Sequence, residues 1–172
     1  MVDTLSVICE FSIGLAGFTG VLAIFSGEEI SISPVIRFRV RNLLLCAFVP
    51  GFLGLGVLGL LEFGYTHLDA ARFGSAIFLV FLITWGFASA NTSRRFSKGA
   101  RQELNNSIFA FSCICILINL GLQTYGFFSI KGAATFVAGL ILLLFQGAVF
   151  FGALIFQLLD ERTRVSHAED ET

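Results

Sequence analysis

Charge is scarce in this chain, and its placement matters more than its amount. Lys and Arg number 11 and Asp and Glu 12 among 172 residues, or 13%, roughly half of the ~25% usual in a soluble domain. Five stretches carry none at all, bounded by Glu10 and Glu28, Arg41 and Glu62, Arg72 and Arg94, Glu103 and Lys131, and Lys131 and Asp160. Five such runs in succession would leave a water-soluble fold almost no polar surface, which excludes that class. Proline is nearly missing too, with Pro34 and Pro50 alone, so little interrupts a helix.

Motifs for chemistry are also wanting. The four cysteines, Cys9, Cys46, Cys113 and Cys115, fall in or at the edges of the apolar runs, in no spacing that forms a disulfide framework or a zinc site. There is no Gly-x-x-x-x-Gly-Lys phosphate loop, no Gly-x-Gly-x-x-Gly fingerprint and no Gly-x-Ser-x-Gly elbow. Neither a metal nor a cofactor is expected, and no enzymatic role is assigned. The connectors are too short to hold a soluble domain.

What is present is a set of segments each able to cross about 30 Å of hydrocarbon, which takes roughly 20 residues. The expected fold is all-α, a polytopic membrane bundle of five transmembrane helices over about 5–26, 34–63, 73–92, 106–128 and 133–159, one domain across 1–159. Residues 160–172 read as a short acidic tail without regular structure. The first segment lacks a basic n-region and a small-residue cleavage site, so it is expected to be retained as a span. A re-entrant first segment with four spans is the rival topology.

Orientation follows from the positive residues. Arg37, Arg39 and Arg41 lie in one connector, Arg94, Arg95, Lys98 and Arg101 in the third, and Arg162 and Arg164 in the tail. All but Arg72 and Lys131 of the 11 therefore share one side, which places the N-terminus outside and the C-terminus in the cytoplasm. The location expected is the cell membrane, the inner one in a Gram-negative cell. Arg37, Arg39, Arg41, Arg94 and Arg95 are expected to contact lipid headgroups, with a specific anionic ligand at Arg37, Arg39 and Arg41 weighed as the sharper alternative. The positive-inside bias accounts for the Arg94–Arg101 run without nucleic acid.

Local signals refine this picture. Gly27 reads as a helix stop, and Ser33 with Pro34 as a cap and first helical residue. Pro50 and Gly51 mark a bend or hinge in the second helix. Ala16 with Gly20 and Ala148 with Gly152 have the small-xxx-small spacing of close helix contacts, and Gly17 and Gly54 belong to the same packing set. Tyr65 and Trp85 read as depth markers at opposite ends of a span, and Glu62, Tyr65, His67, Asp69 and Arg72 cluster in one outer connector.

The costly residues are the polar ones inside the bilayer. Ser112, Cys115, Asn119, Gln123 and Gly126 recur at helical spacing on one face of the fourth helix, and Gly139, Gln146 and Ala153 on the fifth. Glu10 is expected at the depth of Gln123, as its partner. A seam thus runs from Glu10 through Ser112, Asn119, Gln123 and Gln146. It is either hydrogen-bonded glue or a water-lined path in which Glu10 handles a cation, and a protonated Glu10 donating to Gln123 is a third form. The leading expectation is a small homo-oligomeric channel or transport protein. The alternative is a non-catalytic accessory subunit that docks a larger membrane partner through glycine-rich faces. An intramembrane enzyme ranks last, since neither Glu10 nor any cysteine has a second catalytic group beside it. Partners are thus the bilayer, further copies of the chain or another membrane protein.

Overall fold

The computed structural model describes residues 1–25, 34–95 and 106–170, with side chains over 1–21, 35–95 and 108–156. It is all-helical: α1 Val2–Phe25, α2 Pro34–Glu62, α3 His67–Arg94, α4 Asn106–Phe128 and α5 Gly132–Asp170. All five are long and apolar enough to cross a membrane. The expected stop at Gly27, the cap at Ser33, and Lys98 and Arg101 lie outside the described residues, as do the side chains of Arg162 and Arg164.

α5 is the hub, since it alone packs against all four other helices. Around it α1 lies on α2, α2 on α3 and α3 on α4, in chain order, while α1 does not pack along α4. The shared core holds Leu5, Leu43, Val57, Phe78, Phe136 and Leu143, all fully or almost fully buried. Outward faces are equally apolar: Phe11, Phe52, Phe87 and Phe156 are at least 70% exposed. Water would penalise so much exposed apolar surface, whereas hydrocarbon accepts it.

α3 begins at His67, about two turns earlier than the expected 73. Helix α2 ends in a Schellman turn in which Tyr65 N donates to Leu60 O at 3.2 Å and Gly64 N to Leu61 O at 3.0 Å. Gly64 takes φ +87° there, a conformation that side chains with a Cβ resist. Thr66 then caps α3: its Oγ1 accepts from Asp69 N at 3.2 Å and donates to Asp69 Oδ2 at 2.6 Å. This Thr-x-x-Asp pattern resembles a capping box. The pattern is visible in the sequence at Thr66 and Asp69, where the charges at 69 and 72 also give the segment the look of a connector.

The other end that differs is the last one. The sequence reading stops the fifth helix at 159 and leaves 160–172 irregular, but α5 runs on to Asp170. No glycine or proline follows Gly152, so nothing in the backbone breaks the helix once it leaves the apolar zone. α2 stays helical through Pro50. Its missing N–H leaves the Cys46 carbonyl without the usual helical donor.

Candidate functional site

The polar residues of α4 meet α5 across a tight antiparallel hairpin. The turn of Ser129, Ile130 and Lys131 is closed by Gly132 N donating to Ser129 O at 3.3 Å and Lys131 N to Ser129 Oγ at 3.1 Å. Along the hairpin, Gln123 Nε2 donates to Thr135 O at 3.3 Å, Asn119 Nδ2 to Gly139 O at 3.0 Å, and Gln146 Nε2 to Ser112 Oγ at 2.7 Å. Gln123 Nε2 also lies 3.4 Å from Asn119 Oδ1. These contacts step in opposite directions along the two helices, in constant register. Asn119, Gln123 and Gln146 are all at most 1% exposed. Apart from Gln123 Oε1, which has no partner among the described residues, the seam is a set of closed hydrogen bonds.

Glycine permits this approach. A Cβ on Gly139 would collide with Gln123 Nε2 and stand 2.5 Å from Asn119 Oδ1. The sequence alone does not pair Thr135 or Gly139 with the α4 amides, although Thr135, Gly139 and Gln146 themselves recur at helical intervals. That was the available signal.

Glu10 does not join the seam. It is exposed, on the face of α1 turned away from both α2 and α5. The reason is topological: α4 turns its amides onto α5 through the short hairpin, and α1 packs elsewhere on α5. On α1, Leu5, Ile8, Cys9 and Ser12 face inward, and at 100° per residue Ser6, Glu10, Gly14 and Gly17 form the opposite stripe. Gly14, Gly17 and Gly20 have no atom within 4 Å of where a Cβ would sit.

Of the glycines expected to pack helices, Gly54 does so against another helix of the chain, with Cys9 Sγ 2.9 Å from its hypothetical Cβ. Gly17, Gly20 and Gly152 meet open space, Ala16 is half-exposed and Ala148 exposed. Close approach comes instead at Gly51 on Ser12, Gly147 on Leu15 and Cys46, and Gly74 on Val57 and Phe136. Cys9 Sγ–H also donates to Gly51 O at 3.5 Å, which fixes α1 beside the proline of α2.

A second polar site lies where α2 starts, α3 ends and α4 starts, over the flank of α5. A cavity of about 240 Å³ is lined there by Arg39, Asn42, Ser89, Ser112, Ile116 and Phe150, among others. Arg39 is 8% exposed, Asn42 3% and Ser89 9%, whereas Arg37, Arg41, Arg94 and Arg95 are exposed. Arg41 stacks on Phe38 with its Cζ 5.5 Å from the ring centre. Trp85 is no surface depth marker: it is buried, stacks on Phe81, and donates from Nε1 to Asn42 Oδ1 at 3.1 Å. An indole N–H can enter the core when an amide oxygen waits for it. The cluster between α2 and α3 encloses no mouth among the described residues, since Glu62, Tyr65, His67 and Asp69 are all exposed and Asp69 is engaged in the α3 cap.

Chemically, the seam is arranged to hold two helices together, and the cavity to offer hydrogen-bond donors near one end of the bundle. No family model, curated protein or solved structure matches this chain.

Proposed function

We propose that the chain acts as a small homo-oligomeric channel or transport protein of the cell membrane, with Glu10 from each subunit lining a polar axis between subunits. One observation carries this reading: Glu10 stands exposed at the centre of the outward stripe of α1, with no hydrogen bond or ion pair among the described residues. It lies about 12 Å from the start of α1 at 1.5 Å per residue. A carboxylate facing hydrocarbon costs on the order of 2.5–3.5 kcal/mol or more, and a wet axis between subunits removes that cost. The seam supports the same placement from the other side. Its amide nitrogens are hydrogen-bonded within the hairpin, which leaves a path along α4 and α5 little free polar lining beyond Gln123 Oε1. The Lys and Arg distribution supports an N-terminus outside, which sets Glu10 in the outer half of the bilayer.

The alternative, an accessory subunit, is favoured by the open glycines Gly14, Gly17 and Gly20, which leave room for a partner's helix at the same face. Flux separates the two. In proteoliposomes, the channel reading expects Glu10→Gln to change cation flux severalfold while the oligomer persists. Absence of flux in the wild type, together with an unaltered Glu10→Gln protein, discards it in favour of the accessory subunit.

A further inference from the structure

The cavity at the start of α2 joins a mostly apolar wall to two hydroxyls with hydrogen-bonding capacity to spare. Ser89 is 9% exposed and lines the space, and its Oγ is buried with no partner among the described residues. Ser112 lines it from α4. Its Oγ already takes the Gln146 amide proton at 2.7 Å, so its own proton is what it has left to give. A buried polar group without a partner is costly, and a ligand that supplies one removes the cost. The Ser89 hydroxyl can give or take, so an acceptor is the one partner type that answers both serines. Arg39 on the same wall is already engaged, and the acceptor therefore needs no charge of its own.

The rest of the wall selects for shape. Phe38, Phe109 and Phe150 bring three aromatic rings to it, and their faces and edges favour a further ring. An apolar cavity of about 150 Å³ holds benzene, so the cavity of about 240 Å³ here has room for a substituted ring. The space also opens sideways between α3 and α4. Gly86 and Leu117 line that gap, Leu117 is 66% exposed, and a Cβ on Gly86 would meet nothing within 4 Å. An alkyl tail on the ring can leave there across the apolar outer surface of the bundle.

We propose that this cavity binds the head of a neutral quinone-type lipophile. Its ring lies among the three phenylalanines, its two carbonyl oxygens accept from Ser89 and Ser112, and its tail leaves between Gly86 and Leu117. A ring with two carbonyls answers two hydroxyls at once, which a hydrocarbon does not. None of the described lining residues belongs to α1, so the site stands or falls independently of Glu10 and of flux.

Trp85 supplies the readout, since it is the one tryptophan of the chain and is bonded to Asn42 at the cavity wall. Quinones quench indole emission. The protein is placed in phosphatidylcholine nanodiscs and titrated with decyl-benzoquinone, with decylbenzene as a non-quenching competitor that has the same ring and tail but no oxygens. The expected result is a saturable loss of Trp85 emission above the linear loss caused by collisions in the bilayer. Decylbenzene should reverse it only at about tenfold higher mole fraction than the quinone, a ratio set by the hydrogen bonds it lacks. Gly86→Leu, which narrows the opening, should leave the linear part alone. Ser89→Ala should raise the saturation midpoint severalfold, with the circular dichroism spectrum confirming a folded protein. Purely linear quenching of the wild type overturns the proposal. So does displacement by decylbenzene at an equal mole fraction, or a midpoint that Ser89→Ala leaves unchanged, because either assigns the cavity to apolar filling alone.

Discussion

The α4–α5 contact depends on the missing side chain at Gly139, and Gly139→Ala tests it. The added Cβ would collide with Gln123 Nε2 and lie 2.5 Å from Asn119 Oδ1, far inside ordinary contact. Either the amides turn away or the helices separate. Turning away forfeits two interhelical hydrogen bonds, to Gly139 O and Thr135 O, at roughly 0.6–1.7 kcal/mol each in a membrane. Separation carries the overpacking cost of about 1–3 kcal/mol. By either route the loss is about 1–3 kcal/mol. In an Asn119→Ala, Gln123→Ala background the colliding atoms are gone, and the same substitution should cost under about 1 kcal/mol, leaving a coupling of roughly 1–2 kcal/mol between sites in contact. Unfolding in mixed detergent micelles, followed by Trp85 fluorescence, measures all arms of the cycle. Additive effects, or a loss below about 0.5 kcal/mol in the wild-type background, would refute the approach of α4 to α5 described here.

Three further predictions concern other parts of the bundle. Gly54→Leu should destabilise the fold by about 2 kcal/mol or more, because Cys9 occupies the space; Gly17→Leu, facing open space, should leave subunit stability within about 0.5 kcal/mol and weaken association, and unfolding and cross-linking assays separate the two. Trp85→Phe deletes the donor to the buried Asn42 Oδ1 and should lower stability by about 1–3 kcal/mol, read by circular dichroism. Reporter fusions should place the C-terminus in the cytoplasm and the N-terminus outside, and a reversed pair would remove the orientation argument.

The sequence made the helices legible because hydrocarbon demands long uncharged runs, and Glu62, Arg72, Lys131 and their neighbours punctuate them. It was less informative about which face turns inward. In a soluble helix the polar face marks the outside, but here Phe11 faces out and Phe78 faces in with equal ease, and α1 carries almost no amphipathic signal. For that reason Gly20 and Gly152 had the spacing of a contact yet meet open space, whereas Gly139 and Gly147 carry real ones. Helical spacing likewise grouped Ser112, Asn119 and Gln123 on one face without naming their partner. Depth alone suggested Glu10; the three-residue turn at 129–131, which folds α5 directly back on α4, supplied Thr135, Gly139 and Gln146 instead. Asn42, Ser89 and Trp85 could be seen as polar residues near one end of the bundle, but only the packing of α2 against α3 brings them into one cavity.

Subunit number is the most direct test of the proposal that Glu10 faces an axis between copies of the chain. Native mass spectrometry of the protein extracted from its own membrane in nanodiscs reads that number and any stoichiometric partner together. The account predicts a closed homo-oligomer that Gly17→Leu weakens. A monomer, or a one-to-one complex with a different protein, would contradict it.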